Sequence, residues 1–122
     1  MIDLLLQRPT SSDDKYSRGV IGFITGSEEY AGAAILGTTA AIRTGVGMVR
    51  YVGPRSVSQL VLESRPEVVL GLGKAQAWIL GSGVSKQSIE QHAQIAQLID
   101  DSKAEILIID AGALEHIATS FV

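Results

Sequence analysis

The stretch Gly19-Val-Ile-Gly-Phe-Ile-Thr-Gly26 decides the fold. Apolar residues run almost unbroken between two glycines. The run is too short for a helix and is bounded by turn formers, so it predicts a buried β-strand. Ala31 to Thr44 follows, small and alanine-rich, with Ile35, Leu36, Ala40 and Ile42 spread around it. That composition suits a helix lying close against a sheet, ended by Gly45-Val-Gly47.

The same alternation continues downstream. Met48 to Val52 reads as a second strand, stopped by Gly53-Pro54. Ser56 to Ser64 reads as a helix with Val57, Leu60 and Val61 on one face and Ser56 as its cap, and Pro66 stops it. Glu67 to Leu70 and Ala77 to Leu80 read as short strands, the latter ending in Gly81-Ser-Gly83. Ser85 to Ser102 carries Ile89, Ala93, Ala96 and Ile99 at helical spacing. Glu105-Ile-Leu-Ile-Ile-Asp110 is the strongest strand, and a helix is expected from Ala113. Upstream, residues 1–18 read as a polar arm, leaving 19–122 as the folded unit. Near-continuous apolar strands alternating with helices predict an α/β fold: a mostly parallel sheet with helices on both faces.

Composition excludes several classes. The chain has 122 residues, 46% of them hydrophobic, and a net charge of −3, which argues against disorder. No apolar run approaches the roughly 18 to 20 residues of a membrane span. The slightly acidic balance disfavours a nucleic-acid partner. With no cysteine there is no disulfide framework or thiolate metal site. The start, Met1-Ile-Asp-Leu-Leu-Leu-Gln-Arg-Pro9, lacks a basic region and a small-residue cleavage site, so no signal peptide is expected and the cytoplasm is the expected location.

In parallel sheets ligands bind outside the carboxyl ends of the strands. That rule selects the loops at Gly26–Gly32, Gly53–Arg55, Gly81–Ser85 and Asp110–Gly112. Gly26-Ser27 leads into a helix start that favours anions, or makes a plain tight turn. Gly81-Ser-Gly83 suits a polar ligand, or is turn chemistry. Asp110 ends the most apolar strand, where its carboxylate serves a hydroxyl, a metal or a base, or caps a helix. Arg43 and Arg50 form a phosphate clamp or ion pairs; Lys15 and Arg18 close over a ligand or form a solvated arm. His92 and His116 receive no role, and no metal ligand is assigned. Neither standard phosphate fingerprint is present, since the spacing fits neither G-x-x-x-x-G-K-[ST] nor G-x-G-x-x-G.

Asp14-Lys-Tyr-Ser-Arg-Gly-Val-Ile-Gly-Phe-Ile-Thr-Gly-Ser27 resembles the opening of the ADP/ATP-dependent NAD(P)H-hydrate dehydratases of the ribokinase-like superfamily. The resemblance continues through Tyr30-Ala-Gly-Ala-Ala34, Arg43-Thr-Gly-Val-Gly-Met-Val-Arg-Tyr-Val-Gly-Pro54, Arg65-Pro-Glu-Val-Val69, Ala77-Trp-Ile-Leu-Gly-Ser-Gly83 and Ile109-Asp-Ala-Gly-Ala-Leu114. It implies a repair reaction, in which ADP or ATP with Mg²⁺ phosphorylates the ring hydroxyl of hydrated NADH or NADPH and loss of phosphate restores the dinucleotide. By the resemblance, Ala34 and Gly83 match substrate-contacting places, and Gly26, Ser27 and Asp110 line the same cleft.

The sequence also departs from the family. Gly81-Ser-Gly-Val-Ser85 stands where the family has Gly-Pro-Gly-Leu-Gly. The His-Pro-Gly-Glu segment for substrate binding and the Gly-Thr-Gly-Asp segment with the catalytic aspartate are absent from the 122 residues. No catalytic residue is therefore assigned. The resemblance implies a truncated, N-terminal part of such an enzyme, inactive alone and a homo-oligomer. The alternatives are a fragment of a sugar or vitamin-precursor kinase, or a non-catalytic ligand-binding or assembly module. A sheet cut at this point is expected to leave an unpaired edge and exposed apolar surface.

Overall fold

The computed structural model describes residues 8–101 and 103–120. Among the described residues, five strands form one sheet: β1 (Val20–Ile24), β2 (Met48–Val52), β3 (Val69–Leu70), β4 (Ala77–Leu80) and β5 (Ile106–Ile109). The order is β3-β2-β1-β4-β5, and every neighbouring pair is parallel. Four helices accompany them: α1 (Ala31–Arg43), α2 (Arg55–Ser64), α3 (Ile89–Asp101) and α4 (Leu114–Ser120), the last preceded by the 3₁₀ turn η1 (Ala111–Ala113). The expected α/β architecture is the observed one.

Side chains alternate across a strand, so each strand feeds two cores. Val20, Ile24, Val52, Trp78 and Leu80 point to one face, where they meet Ile95 of α3 and Ala113 of η1. Phe23, Val49 and Tyr51 point to the other, where Ala34 and Ala41 of α1 and Val57 and Val61 of α2 cover them. Helices thus lie on both faces. Gly22 pairs with Trp78 across β1 and β4, and a Cβ at Gly22 would land inside the Trp78 ring. Trp78 is the largest fully buried side chain, and the neighbouring strand accommodates it by having no side chain there.

Several boundaries shift from expectation for local reasons. α2 starts at Arg55, with Pro54 rather than Ser56 at the N-cap, and the Ser58 N–H donates to the Pro54 carbonyl at 2.8 Å. α3 starts at Ile89, because Ser85–Ser88 closes a turn of its own through a 3.1 Å bond from the Ser88 N–H to the Ser85 carbonyl. β3 keeps only Val69–Leu70 of the four residues expected, since Val68 turns into the core.

The described part of the arm folds against the amino ends of the strands. Asp14 Oδ1 accepts from the N–H groups of Tyr16 and Ser17, both at 2.8 Å. Gln76 stitches it down, donating to the Tyr16 carbonyl at 3.1 Å and accepting from the Val20 N–H at 2.8 Å. The reading of the leucine run at the extreme amino terminus lies outside the described residues. Among the described residues, no helix is long and apolar enough to cross a membrane.

Candidate functional site

The loops that follow β1, β4 and β5 interlock. The Gly26 N–H donates to the Ser82 carbonyl at 2.7 Å, joining the first two. Gly83 backs onto this contact at φ +73°, and a Cβ there would stand 2.7 Å from the Ala33 Cβ and 3.2 Å from the Gly26 Cα. The Gly81 N–H donates to the Ile24 carbonyl at 2.9 Å, and the Asp110 N–H to that of Leu80 at 3.0 Å. A Cβ on Gly81, at φ +110°, would overlap the Asp110 carbonyl oxygen. The glycines therefore let three backbones meet where side chains would hold them apart.

The five expected site residues occupy different depths. Asp110 is exposed just after β5, and its carboxylate makes no cap bond to η1, so the capping alternative does not describe it. Gly26 and Gly83 meet at the junction of their loops. Ser27 is buried, and its Oγ accepts the Tyr30 N–H at 3.2 Å, which shapes the turn into α1. Ala34 is fully buried on the core side of α1, and a Cβ on Gly26 would stand 2.9 Å from its methyl group. It supports the loop from beneath, and its neighbour Ala33 is the residue that touches the open groove.

Two residues not singled out from the sequence hold this loop. Gln91 of α3 is buried; its Nε2 donates to the Gly26 carbonyl at 3.2 Å and the Thr25 carbonyl at 3.4 Å, and its Oε1 accepts from Ser88 Oγ at 2.7 Å. Tyr51 donates its hydroxyl to the Thr25 carbonyl, and burial pushes its phenol well above the usual value. Both act on the loop through contacts distant in sequence, which periodicity does not reveal.

A cavity of about 330 Å³ opens beside the loops, lined by Ser27, Glu28, Pro54, Ser85, Ser88 and Gln91. A larger groove of about 1020 Å³ runs along the sheet under α1, past Ile21, Phe23, Leu36 and Ile79, with Tyr30 and Gly83 at its upper end. Its lower walls are apolar strand and helix faces, so only the upper end has the polarity of a ligand site.

The basic residues do not gather here. Arg18 donates to the Gly45 carbonyl at 2.7 and 3.1 Å, satisfying the carboxyl end of α1 rather than a ligand. Arg50 donates to the Gly71 carbonyl at 3.4 Å, and Arg43 is exposed in the last turn of α1, so the two form no clamp. Three amides of the β1–α1 loop are engaged: Gly26 with Ser82, Tyr30 with Ser27, and Ala33 with the Tyr30 carbonyl at 3.1 Å. The cavity beside these loops has glutamates and no lysine or arginine in its lining, so it lacks the cation that a nucleoside triphosphate takes. His92 and His116, far apart in sequence, come within 2.9 Å of each other.

A family profile described as NAD(P)H-hydrate dehydratase matches residues 21–121. The chain belongs to the NAD(P)H-hydrate dehydratase family. It is 40% identical to a bifunctional NAD(P)H-hydrate repair enzyme of Corynebacterium glutamicum over 96% of its own length and 20% of that protein's. It is 29% identical to an ADP-dependent (S)-NAD(P)H-hydrate dehydratase of Xanthomonas campestris pv. campestris, over 87% of its length and 43% of the relative's. The ADP/ATP-dependent NAD(P)H-hydrate dehydratase of Bacillus subtilis, co-crystallised with ATP and Mg²⁺, superposes with a TM-score of 0.73 at 24% identity, over 93% of this chain and 44% of that one. A Streptococcus mutans protein reaches 0.81 at 18% identity, over 96% and 46%. A ribokinase-like superfamily protein of Enterococcus faecalis superposes as well, with a TM-score of 0.77 at 24% identity over 97% of this chain and 45% of that one, so these proteins share the fold. The chain spans less than half the length of each of these relatives.

Proposed function

We propose that this chain forms the substrate side of an NAD(P)H-hydrate dehydratase cleft, works in the cytoplasm, and does not turn over alone. The observation that supports this reading is the interlocking of the β1, β4 and β5 loops around Gly26, Gly81 and Gly83, with Asp110 exposed at the carboxyl end of β5. The substrate is hydrated NADH or NADPH. Asp110 accepts a hydrogen bond from a substrate hydroxyl, and the bare backbones of Gly26 and Gly83 leave room for the hydrate. Ser27 fixes the turn and Ala34 holds it from below. ADP or ATP and Mg²⁺ are bound by parts of the whole enzyme outside this chain. A second copy, or those same parts, covers the exposed sheet face.

The test incubates the purified 122-residue chain with NADPH hydrate, ADP or ATP, and Mg²⁺, and follows NADPH absorbance. No recovery is expected, whereas calorimetry should detect hydrate binding that Asp110→Ala weakens about tenfold, the loss of one charge-assisted hydrogen bond. Recovery at an ordinary enzymatic rate would overturn the inactivity. Absence of hydrate binding would overturn the substrate side and favour an assembly module. Reading the encoding gene past codon 122 separates the cases further, since Gly-Thr-Gly-Asp downstream supports the dehydratase.

A further inference from the structure

His92 of α3 and Glu115 and His116 of α4 converge on one point at the packed junction of the two helices. His92 Nδ1 lies 2.9 Å from His116 Nε2 and 3.2 Å from Glu115 Oε1. One ligand-type atom from each of the three falls within 4.8 Å of the others. The other ring nitrogen of His92, Nε2, lies 2.9 Å from the Ser85 carbonyl oxygen. A carbonyl only accepts, so Nε2 carries the proton and donates it there. In the neutral ring Nδ1 is then left with its lone pair facing the cluster. We propose that His92, Glu115 and His116 bind a zinc ion, with water as the fourth ligand.

Three features fit a metal at this junction. The first is distance. Zinc bonds of about 2.0–2.1 Å to nitrogen and oxygen in a tetrahedron set neighbouring ligands about 3.3 Å apart, so the observed 2.9 and 3.2 Å separations need to open only slightly. The second is the Ser85 carbonyl, which holds the tautomer and ring plane of His92 as a backbone acceptor does behind a metal-bound imidazole. The third is chemistry. Two imidazoles and a carboxylate, with no thiolate, suit zinc far better than Mg²⁺, which takes oxygen ligands. Glu115 is 65% exposed and His92 14%, so the site opens to solvent on the carboxylate side. A bound ion would staple the seven residues of α4 to α3 and to the turn at Ser85.

The test titrates ZnCl₂ into the purified full chain by calorimetry. One zinc ion per chain is expected, in the micromolar range or tighter. Mg²⁺ in about hundredfold excess should not displace it. Glu115→Gln and His116→Gln should each weaken binding at least about tenfold, given that even outer-shell changes cost ten- to hundredfold. Glu115 is exposed and His116 half-buried, and circular dichroism verifies that the variants remain folded. Co²⁺ in place of zinc should give the visible absorption of a tetrahedral site, abolished in the same variants. Zinc should also raise Tm by about 10 °C when its free concentration exceeds Kd about a hundredfold. No zinc binding at 100-fold protein excess over a chelating dye, taken as about the limit of a specific site, would overturn the proposal. So would zinc binding that the folded variants leave unchanged.

Discussion

The two faces of β4 and β5 are equally apolar but differently covered. On one, Trp78, Leu80, Leu107 and Ile109 pack with α3 and η1, and Trp78 is 2% exposed. On the other, Ile106 and Ile108 stand 55% and 52% exposed. Leu36 of α1 is barer still at 72%, and the apolar groove runs between it and β4. The same four-residue strand, Ile106–Ile109, thus has a finished side and an unfinished one. Parallel strands carry apolar residues on both faces because both are ordinarily buried. Among the described residues, the second face of β5 has no such cover.

Substitution on each face is the most direct way to break this contrast. Trp78→Ala should destabilise by about 3–5 kcal/mol, because it empties the largest buried site and leaves Gly22 facing a void. Ile108→Thr should change stability by no more than about 0.5 kcal/mol if its face is open in solution. Urea denaturation of the two variants measures both. A cost above about 1 kcal/mol at Ile108 would show that something covers the face, and sedimentation would reveal whether a second copy does so.

At the loop end the contrast lies between glycines that touch a neighbour and those that do not. Gly81→Ala should cost about 3 kcal/mol, combining the left-handed backbone at φ +110° with a methyl group driven into the Asp110 carbonyl. Gly71→Ala, at φ +99° with open space around it, should cost only about 1–2 kcal/mol. The difference between the two, read from denaturation midpoints, isolates the close approach of the β4 and β5 loops. Equal costs would mean that the loops move apart freely, and Asp110 would then lose its fixed place.

Much of this was legible in advance, and the exceptions share a cause. β2 and β4 have the bounds their apolar runs and following glycines dictate, Met48–Val52 and Ala77–Leu80. Which loops lie at the carboxyl ends of the strands follows from the parallel order. Depth did not follow. Ala33 and Ala34 are chemically identical neighbours, and Ala34 is the one turned into the core, on the buried face of α1 that it shares with Thr38 and Ala41. Gln91 looked like any polar residue on an amphipathic helix until the fold brought it under the β1 loop. His92 and His116 meet through the packing of two helices, and no spacing motif announces that. Local pattern specifies elements; contacts between distant segments specify the site.

Tyr51 offers the gentlest probe, because it supports the β1 loop from the covered α1–α2 side. Its phenol, ordinarily titrating near 10, is held above that value by burial. Below pH 10 both folded and unfolded chains keep the proton, so Tyr51 adds no pH dependence. Above it the unfolded chain releases the proton while the folded chain retains it. The unfolded state then binds fewer protons, and stability falls as pH rises, by up to about 1.4 kcal/mol per pH unit until the folded phenol also ionises. Tyr51→Phe should be less stable at neutral pH by about 1 kcal/mol, from the lost bond to the Thr25 carbonyl. It should also show a shallower alkaline decline. Paired urea titrations at neutral pH and above pH 10 measure both effects. Identical alkaline slopes in the two proteins would mean that Tyr51 reaches solvent, and that the α1–α2 side is looser than its buried core indicates.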